Sequence, residues 1–193
     1  MSLSTFFRKN TIEAGVDEAG RGCLAGPVFA SAVILPDNFP FELLNDSKKL
    51  SEKKRNELRI IIEENATAWS IGVVDNVEID KINILQASIL AMHRAISDLS
   101  TKPDLLLIDG NRFNPFQGLE HETIIKGDAK ICSIAAASIL AKTHRDEYMN
   151  KIADEHPDYQ WTRNKGYPTK VHRECIAKHG ATPYHRLSFR LTV

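Results

Sequence analysis

The feature that most constrains the fold is the segment IEAGVDEAGRGCLAGPV at residues 12–28. A β-like run ends there in two adjacent carboxylates, Asp17 and Glu18, and a glycine-rich stretch leads into a second β-like run. Glycine lets a backbone turn tightly and approach a ligand at points where a Cβ would clash. The segment therefore predicts two neighbouring strands whose connecting loop borders a functional site. A turn with two solvated acids would have the same sequence pattern.

Size and composition narrow the class of protein. The chain has 193 residues, of which 42% are hydrophobic and 26% charged, as in a soluble globular domain. We find neither a secretory leader nor an apolar run approaching the roughly 18 residues that span a bilayer. The three cysteines have no close spacing, so a disulfide framework or zinc cluster is not expected. These features predict a cytoplasmic protein, and the absence of a spare apolar helix face favours a monomer.

Positive charge is concentrated in two segments although the net charge is zero. Residues 48–59 and 159–190 are both rich in lysine and arginine. Such segments are either solvated helix faces or surfaces for a polyanion.

Hydrophobic periodicity predicts alternating strands and helices. The predicted strands cover residues 11–18, 27–35, 68–74, 104–109 and 122–126, and the predicted helices cover 51–65, 77–99, 128–155 and 169–178. This order indicates a layered α/β domain with helices on both faces of a sheet. We place that domain at residues 1–155 and treat the basic residues 156–193 as a small helical C-terminal extension packed on it.

Two more acids occur where predicted elements end. Asp109 follows the apolar run LLLI, and Asp128 lies where a strand-like run gives way to a helix. Singly, Asp109 could form an Asp-Gly turn and Asp128 could cap a helix. Together with Asp17 and Glu18 they suggest an all-oxygen site for Mg²⁺ or Mn²⁺ rather than zinc. Two such ions about 3.5–4 Å apart suit phosphodiester hydrolysis.

Six motifs occur in one order: GVDEAGRGCLAGPV, DSKKLS, LLIDGN, KGDAK, AAASILAKTHRD and NKGYPTKVH. In that order, over residues 12–185, they closely resemble bacterial ribonuclease HII. The resemblance implies a ribonuclease H-like fold with a central mixed five-stranded sheet. It also implies hydrolysis of RNA in RNA/DNA hybrids, and cleavage 5′ to a single ribonucleotide in duplex DNA. The family's metal-binding acids correspond to Asp17, Glu18, Asp109 and Asp128.

The resemblance also implies which residues recognise the ribose. Gly20, Arg21 and Gly22 match the loop whose backbone reads the 2′-hydroxyl, the group that distinguishes RNA from DNA. Tyr167 matches the tyrosine that supports this reading and stacks on the following deoxyribose; alone it would be read as a loop tyrosine. Many relatives have proline where this chain has Cys23, so we expect a freer loop and a less certain strength of 2′-hydroxyl discrimination.

Phosphate contacts in the family correspond to Lys48, Lys49, Ser138 and Lys142. Without the family, Ser138 and Lys142 would be read as a polar stripe on one helix face. The C-terminal HRLSFRLTV contains no clear sliding-clamp motif, so we expect no clamp recruitment.

Two alternatives stay open at this point. Another nuclease of the same superfamily, such as a resolvase or an exonuclease, would share the carboxylates, because fold alone does not fix function. It would have no need for a 2′-hydroxyl reader beside Asp17. A non-catalytic module that binds hybrids would differ from an enzyme by the absence of metal-dependent product.

Overall fold

The computed structural model describes residues 3–45, 47 and 50–192. One mixed sheet contains five strands: β1 (Glu13–Ala19), β2 (Val28–Ile34), β3 (Ala68–Val74), β4 (Leu105–Asp109) and β5 (Glu120–Ile124). Their order across the sheet is β3-β2-β1-β4-β5. β1 pairs with β2 and β2 with β3 antiparallel, whereas β1 with β4 and β4 with β5 are parallel.

Helices cover both faces of this sheet. They are α1 (Glu52–Asn65), α2 (Asn76–Ile82), α3 (Ile84–Ser97), α4 (Cys132–Ala153), α5 (Trp161–Asn164) and α6 (Lys170–His179). One apolar core lies between the sheet and α2 with α3, and a second lies between the sheet and α1 with α4. This layering confirms the predicted α/β class with a mixed five-stranded sheet. None of the helices described here is long and apolar enough to cross a bilayer.

Small residues bring α4 directly onto β1. Ala135, Ala136 and Ala137 are fully buried. A Cβ added to Gly15 would lie 2.1 Å from the Ser133 carbonyl carbon, well inside van der Waals contact. The helix backbone thus rests on the strand at Gly15, and this close packing fixes α4 over the strand that carries Asp17.

The C-terminal segment packs on the end of α4 through a third apolar core. Trp161 and Ile176 contact a cluster that includes Met149 and Ile152 of α4. Leu24, from the loop between β1 and β2, belongs to the same cluster. The C-terminal segment therefore packs against the glycine-rich loop. The division of the chain near residue 155 stays a prediction.

Two predicted helices differ from the structure. Residues 77–99 form two helices because Asn83 has a left-handed φ of 66°, and its side chain accepts hydrogen bonds from the N–H groups of Leu85 and Gln86. Asparagine adopts this backbone conformation more readily than most residues, and the hydrophobic period continues across the break. The predicted helix 128–155 begins only at Cys132, after a 3-10 turn at Gly127–Ala129.

The fifth strand also differs from its prediction: it begins and ends two residues before the predicted range 122–126. It covers Glu120–Ile124, and Lys126 instead adopts a left-handed conformation with a φ of 57°. Its sequence, EHETI, is mostly polar and exposed because β5 lies at the sheet edge. An edge strand of this composition gives a weak hydrophobic pattern.

The contact at Gly15 predicts a stability defect. Gly15→Ala should lower the free energy of unfolding by about 1–3 kcal/mol, because the new methyl group collides with helix backbone that cannot move aside. Denaturant unfolding measures this. Gly22→Ala is the matched control, since a Cβ there meets nothing within 4 Å; equal stability of the two variants would contradict the packing argument.

Candidate active site

Parallel pairing places two acids side by side at the ends of β1 and β4. Val16 is the register partner of Ile108, so Asp17 and Asp109 occupy the next step along the two strands. Both side chains lie on the α4 side, as do Leu105 and Leu107 of β4. The Asp17 Oδ1 accepts the Glu18 N–H at 2.7 Å, and the Asp109 Oδ1 accepts the Gly127 N–H at 2.6 Å.

Glu18 reaches the same cavity from a regular strand. Asp17 and Glu18 point to opposite faces of the sheet as neighbours in a regular strand, because the β1–β2 register continues to Ala19. Both nevertheless line one cavity, because it opens at the end of the sheet. Glu18 Oε1 accepts a hydrogen bond at 3.1 Å from Arg21, whose side chain is about half exposed.

This cavity has a volume of about 310 Å³ and brings together most of the predicted site. Its lining contains Asp17, Glu18, Asp109, Gly20, Arg21, Gly22, Ser138, Lys142 and Tyr167, together with Ala19 and Ser47. Residues from β1, β4, α4 and the C-terminal segment therefore meet in one place. This is the juxtaposition that the distant sequence motifs predicted.

The fourth predicted acid does not line this cavity. Asp128 is buried in the 3-10 turn and is not part of the cavity lining, although the neighbouring Gly127 N–H binds Asp109. It is not the cap of α4 either, because the N-cap position belongs to Ile131. Lys48 and Lys49 lie outside the described residues.

Burial and the nearby charges raise the pKa values of two acids in the cavity. Burial raises the pKa of Asp17 well above its usual value, and the charges of Glu18 and Asp109 raise it further, against a hydrogen bond from Ser138. Burial also raises the pKa of Glu18, with the Arg21 guanidinium opposing the shift. A divalent cation bound among these oxygens would offset the repulsion.

The donor chemistry fits Mg²⁺ or Mn²⁺, since every acidic ligand offered is a carboxylate oxygen. Within residues 3–45, 47 and 50–192, however, no three His, Cys, Asp or Glu side chains are already arranged as a ligand group for a metal. The three carboxylates share a cavity without forming a preassembled cage.

Two glycines of the loop serve different purposes. Gly20 has a φ of +95°, and a Cβ there would lie 2.0 Å from the Arg145 Nε, so the fold itself demands glycine. Gly22 has an ordinary φ and open space around it. Nothing in the described fold requires glycine at position 22, and the close approach of a ligand to this residue stays a prediction.

Cys23 is fully buried behind this loop. Its N–H donates to the Gly20 carbonyl at 3.4 Å, a bond that proline could not form, and its Sγ lies 3.7 Å from the Lys165 carbonyl oxygen. These contacts restrain the loop where the sequence suggested greater freedom.

Sequence reasoning missed three residues around the cavity. Ser47 lines it and shares a 2.9 Å hydrogen bond with the Ser138 hydroxyl; its signal was the DSKKLS motif. Arg145 and Arg186 lie behind the loop, fully buried. Arg145 fell within a recognised motif, but neither arginine carried a sign that it would be buried.

Comparison with known proteins gives the family. The family model for Ribonuclease HII matches residues 14–192. Ribonuclease HII of Bacteroides thetaiotaomicron is 63% identical over 189 residues, covering 98% of this chain and 94% of that protein. Ribonuclease HII of Parabacteroides distasonis is 64% identical over 189 residues, covering 98% and 95%.

A solved structure agrees with these sequence matches. The structure described as the PCNA:RNase HII complex from Archaeoglobus fulgidus matches with a TM-score of 0.80 and 27% identity, covering 94% of this chain and 96% of that chain. The fold and the acidic cavity thus define a ribonuclease H-type endonuclease, which acts on RNA/DNA hybrids. The chain belongs to the ribonuclease HII family. This finding favours the enzyme over the non-catalytic module.

The role given to Gly22 is open to a direct test. Gly22→Ala should fold with normal stability, within about 0.5 kcal/mol, yet lose about tenfold or more in cleavage of hybrid substrate, because the methyl group holds the ribose away from the loop. Steady-state kinetics beside a melting curve measures both. Full activity would show that the loop backbone does not approach substrate.

Proposed function

We propose that this enzyme cleaves duplex DNA 5′ to a single embedded ribonucleotide, as well as the RNA strand of hybrids, and so takes part in removing ribonucleotides from DNA. The products carry 5′-phosphate and 3′-hydroxyl ends. The observation that carries the proposal is the common cavity of the Gly20–Gly22 loop, Tyr167 and the three carboxylates.

A ribose reader beside the acids restricts where the cut falls. The 2′-hydroxyl and the scissile 5′-phosphate belong to the same nucleotide, so a loop that binds the hydroxyl positions that phosphate against Asp17 and Asp109. A nuclease for ordinary DNA would have no use for such a loop at this place. The arrangement thereby favours ribonucleotide cleavage over the resolvase or exonuclease alternative.

In this proposal Asp17, Glu18 and Asp109 hold two divalent ions, Mg²⁺ or Mn²⁺, and Asp128 joins them as the fourth acid. Ions bound by these acids would supply Lewis-acid chemistry for activating a water and stabilising the leaving oxygen. Lys142, whose Nζ lies 3.5 Å from Asp146, binds phosphate with Ser138. Lys48 and Lys49 complete the phosphate contacts.

We also propose that the enzyme works as a cytoplasmic monomer on RNA/DNA hybrids and on DNA duplexes that contain ribonucleotides. The three free cysteines suit a reducing compartment. We propose no sliding-clamp partner for this chain, since its C-terminal residues carry no clear motif for one.

Cleavage mapping tests the substrate. A labelled duplex with one ribonucleotide should be cut once, on its 5′ side, with Mg²⁺ or Mn²⁺ and not with chelator. An identical all-DNA duplex should stay intact because it offers no 2′-hydroxyl. Cutting of both duplexes at equal rates, or of neither under any metal condition, would refute the proposal.

Asp17→Asn tests the metal site. It should reduce cleavage by at least about 100-fold, because a ligand for the ions is lost. Hybrid binding should persist, and thermal stability should be equal or higher, because the burial and repulsion that raise the pKa of Asp17 also destabilise its charged form at neutral pH. Asp154→Asn, an exposed acid just beyond α4, is the control. Unchanged turnover in folded Asp17→Asn would exclude the mechanism.

A further inference from the structure

Two buried arginines lie behind the ribose-reading loop. Arg145 and Arg186 are 1% and 0% exposed. In the part of the chain that the structure describes, neither guanidinium has a carboxylate at ion-pair distance. Each instead donates to three main-chain carbonyl oxygens. A buried cation is costly unless its donors are satisfied, so these carbonyls are what keep both charges in place.

Arg186 binds the inner side of the loop itself. Its guanidinium donates to the carbonyl oxygens of Gly20 at 2.8 Å, Arg21 at 2.9 Å and Gly26 at 2.9 Å. In a trans peptide the carbonyl and the following N–H point in opposite directions. With the carbonyls of Gly20 and Arg21 directed inward, the N–H groups of Arg21 and Gly22 are directed away from Arg186, on the side where the loop lines the cavity.

These two N–H groups are available to a ligand. Among the described residues, neither the Arg21 N–H nor the Gly22 N–H donates to a protein acceptor. The next N–H, that of Cys23, turns back to the Gly20 carbonyl. The loop thus presents two adjacent donors beside the carboxylates, and the guanidinium holds the orientation of both peptides.

Arg145 joins this loop to the segment that carries Tyr167. It donates to the carbonyl oxygens of Ala25, Pro27 and Lys165, and its guanidinium lies 5.9 Å from the centre of the Tyr167 ring. The Leu24 N–H also donates to the Gly166 carbonyl at 2.7 Å. The loop and the tyrosine are therefore held as one unit.

We propose that Arg186 is a positioning residue for ribose recognition: it fixes the peptides of Gly20 and Arg21 so that the loop N–H groups face the 2′-hydroxyl. This inference rests on the proposed function, because it assumes that the loop reads the ribose. Arg186 touches neither substrate nor metal in this role. It acts only through the loop carbonyls.

Arginine is the residue type that this role requires. Its planar fork reaches three carbonyl oxygens at once, whereas a lysine ammonium is a compact charge on a flexible stem. Burial lowers the pKa of Arg186 to about 10, which leaves the group charged at neutral pH. Arg186→Lys therefore keeps the charge and removes the geometry.

The test measures binding, so that catalysis does not enter it. In an Asp17→Asn background, fluorescence anisotropy gives the Kd for a duplex with one ribonucleotide and for the same all-DNA duplex. The Kd for the all-DNA duplex divided by the Kd for the duplex with one ribonucleotide reports 2′-hydroxyl recognition. Arg186→Lys should lower this ratio about 3- to 10-fold, the size of one misaligned hydrogen bond, and leave binding of the all-DNA duplex within about twofold.

Arg94→Lys is the matched control, since its guanidinium binds the Val73 carbonyl and Glu78 away from the cavity. It should leave the ratio unchanged. The inference would be overturned if Arg186→Lys left the ratio unchanged or weakened the binding of both duplexes equally. Either result would show that Arg186 has only a structural role. A ratio of one in the background protein itself would instead overturn the proposed function.

A second variant covers the case in which Arg186→Lys does not fold. The Asp80 carboxylate accepts hydrogen bonds from the N–H groups of Leu187 at 2.8 Å and Ser188 at 3.0 Å. It thereby anchors the backbone that follows Arg186. Asp80→Ala should loosen this segment from the surface and lower the ratio about threefold. If the ratio is unchanged while melting curves show a folded protein, the inference fails.

Discussion

The parallel pairing of β1 with β4 brings Asp17 and Asp109 together, although the two residues are far apart in the chain. A slip of one residue in this register would turn the Asp109 side chain to the opposite face of the sheet. Gly15 contributes to the same arrangement, because its missing side chain lets α4 rest on β1 and place Ser138 over Asp17. The carboxylates are consequently held near one another against their mutual repulsion by backbone hydrogen bonds and helix packing.

In the loop between β1 and β2, electrostatic attraction holds the backbone in place, whereas the carboxylates repel one another. Its carbonyl oxygens converge on two buried guanidinium groups, which attract them. The inner side of the loop is thereby fixed, and the outer side offers N–H groups and the exposed Arg21. Negative charge from the acids and positive charge behind the loop lie on two sides of one cavity, which suits a substrate that carries phosphate and bridges bound cations.

Much of this arrangement was predictable because strand ends and glycine turns leave local signals. Asp17 and Asp109 follow runs that alternate or are continuously apolar, and those runs formed the expected strands. The break at Asn83 and the edge strand β5 were not predictable, since the first keeps the hydrophobic period and the second is polar. The burial of Arg186 was not predictable from the sequence either. Arginine is normally exposed, and the partners of Arg186 are main-chain carbonyls, which every residue possesses.

In the proposed function, hydrolysis and ribose selection depend on different parts of this fold. The acids are carried by central strands, whose positions follow from sheet register and the packing of α3 and α4. The loop is joined to the C-terminal segment, which contains Tyr167, by Arg145 of α4, by Arg186 and by the apolar contacts of Leu24. In that function, changes in the C-terminal segment alter the choice of sugar and leave the carboxylates in place, because the sheet holds the acids. In the proposed function, this separation lets one metal site serve both long hybrids, whose RNA strand offers a 2′-hydroxyl at every nucleotide, and duplex DNA, where the loop must find a single one.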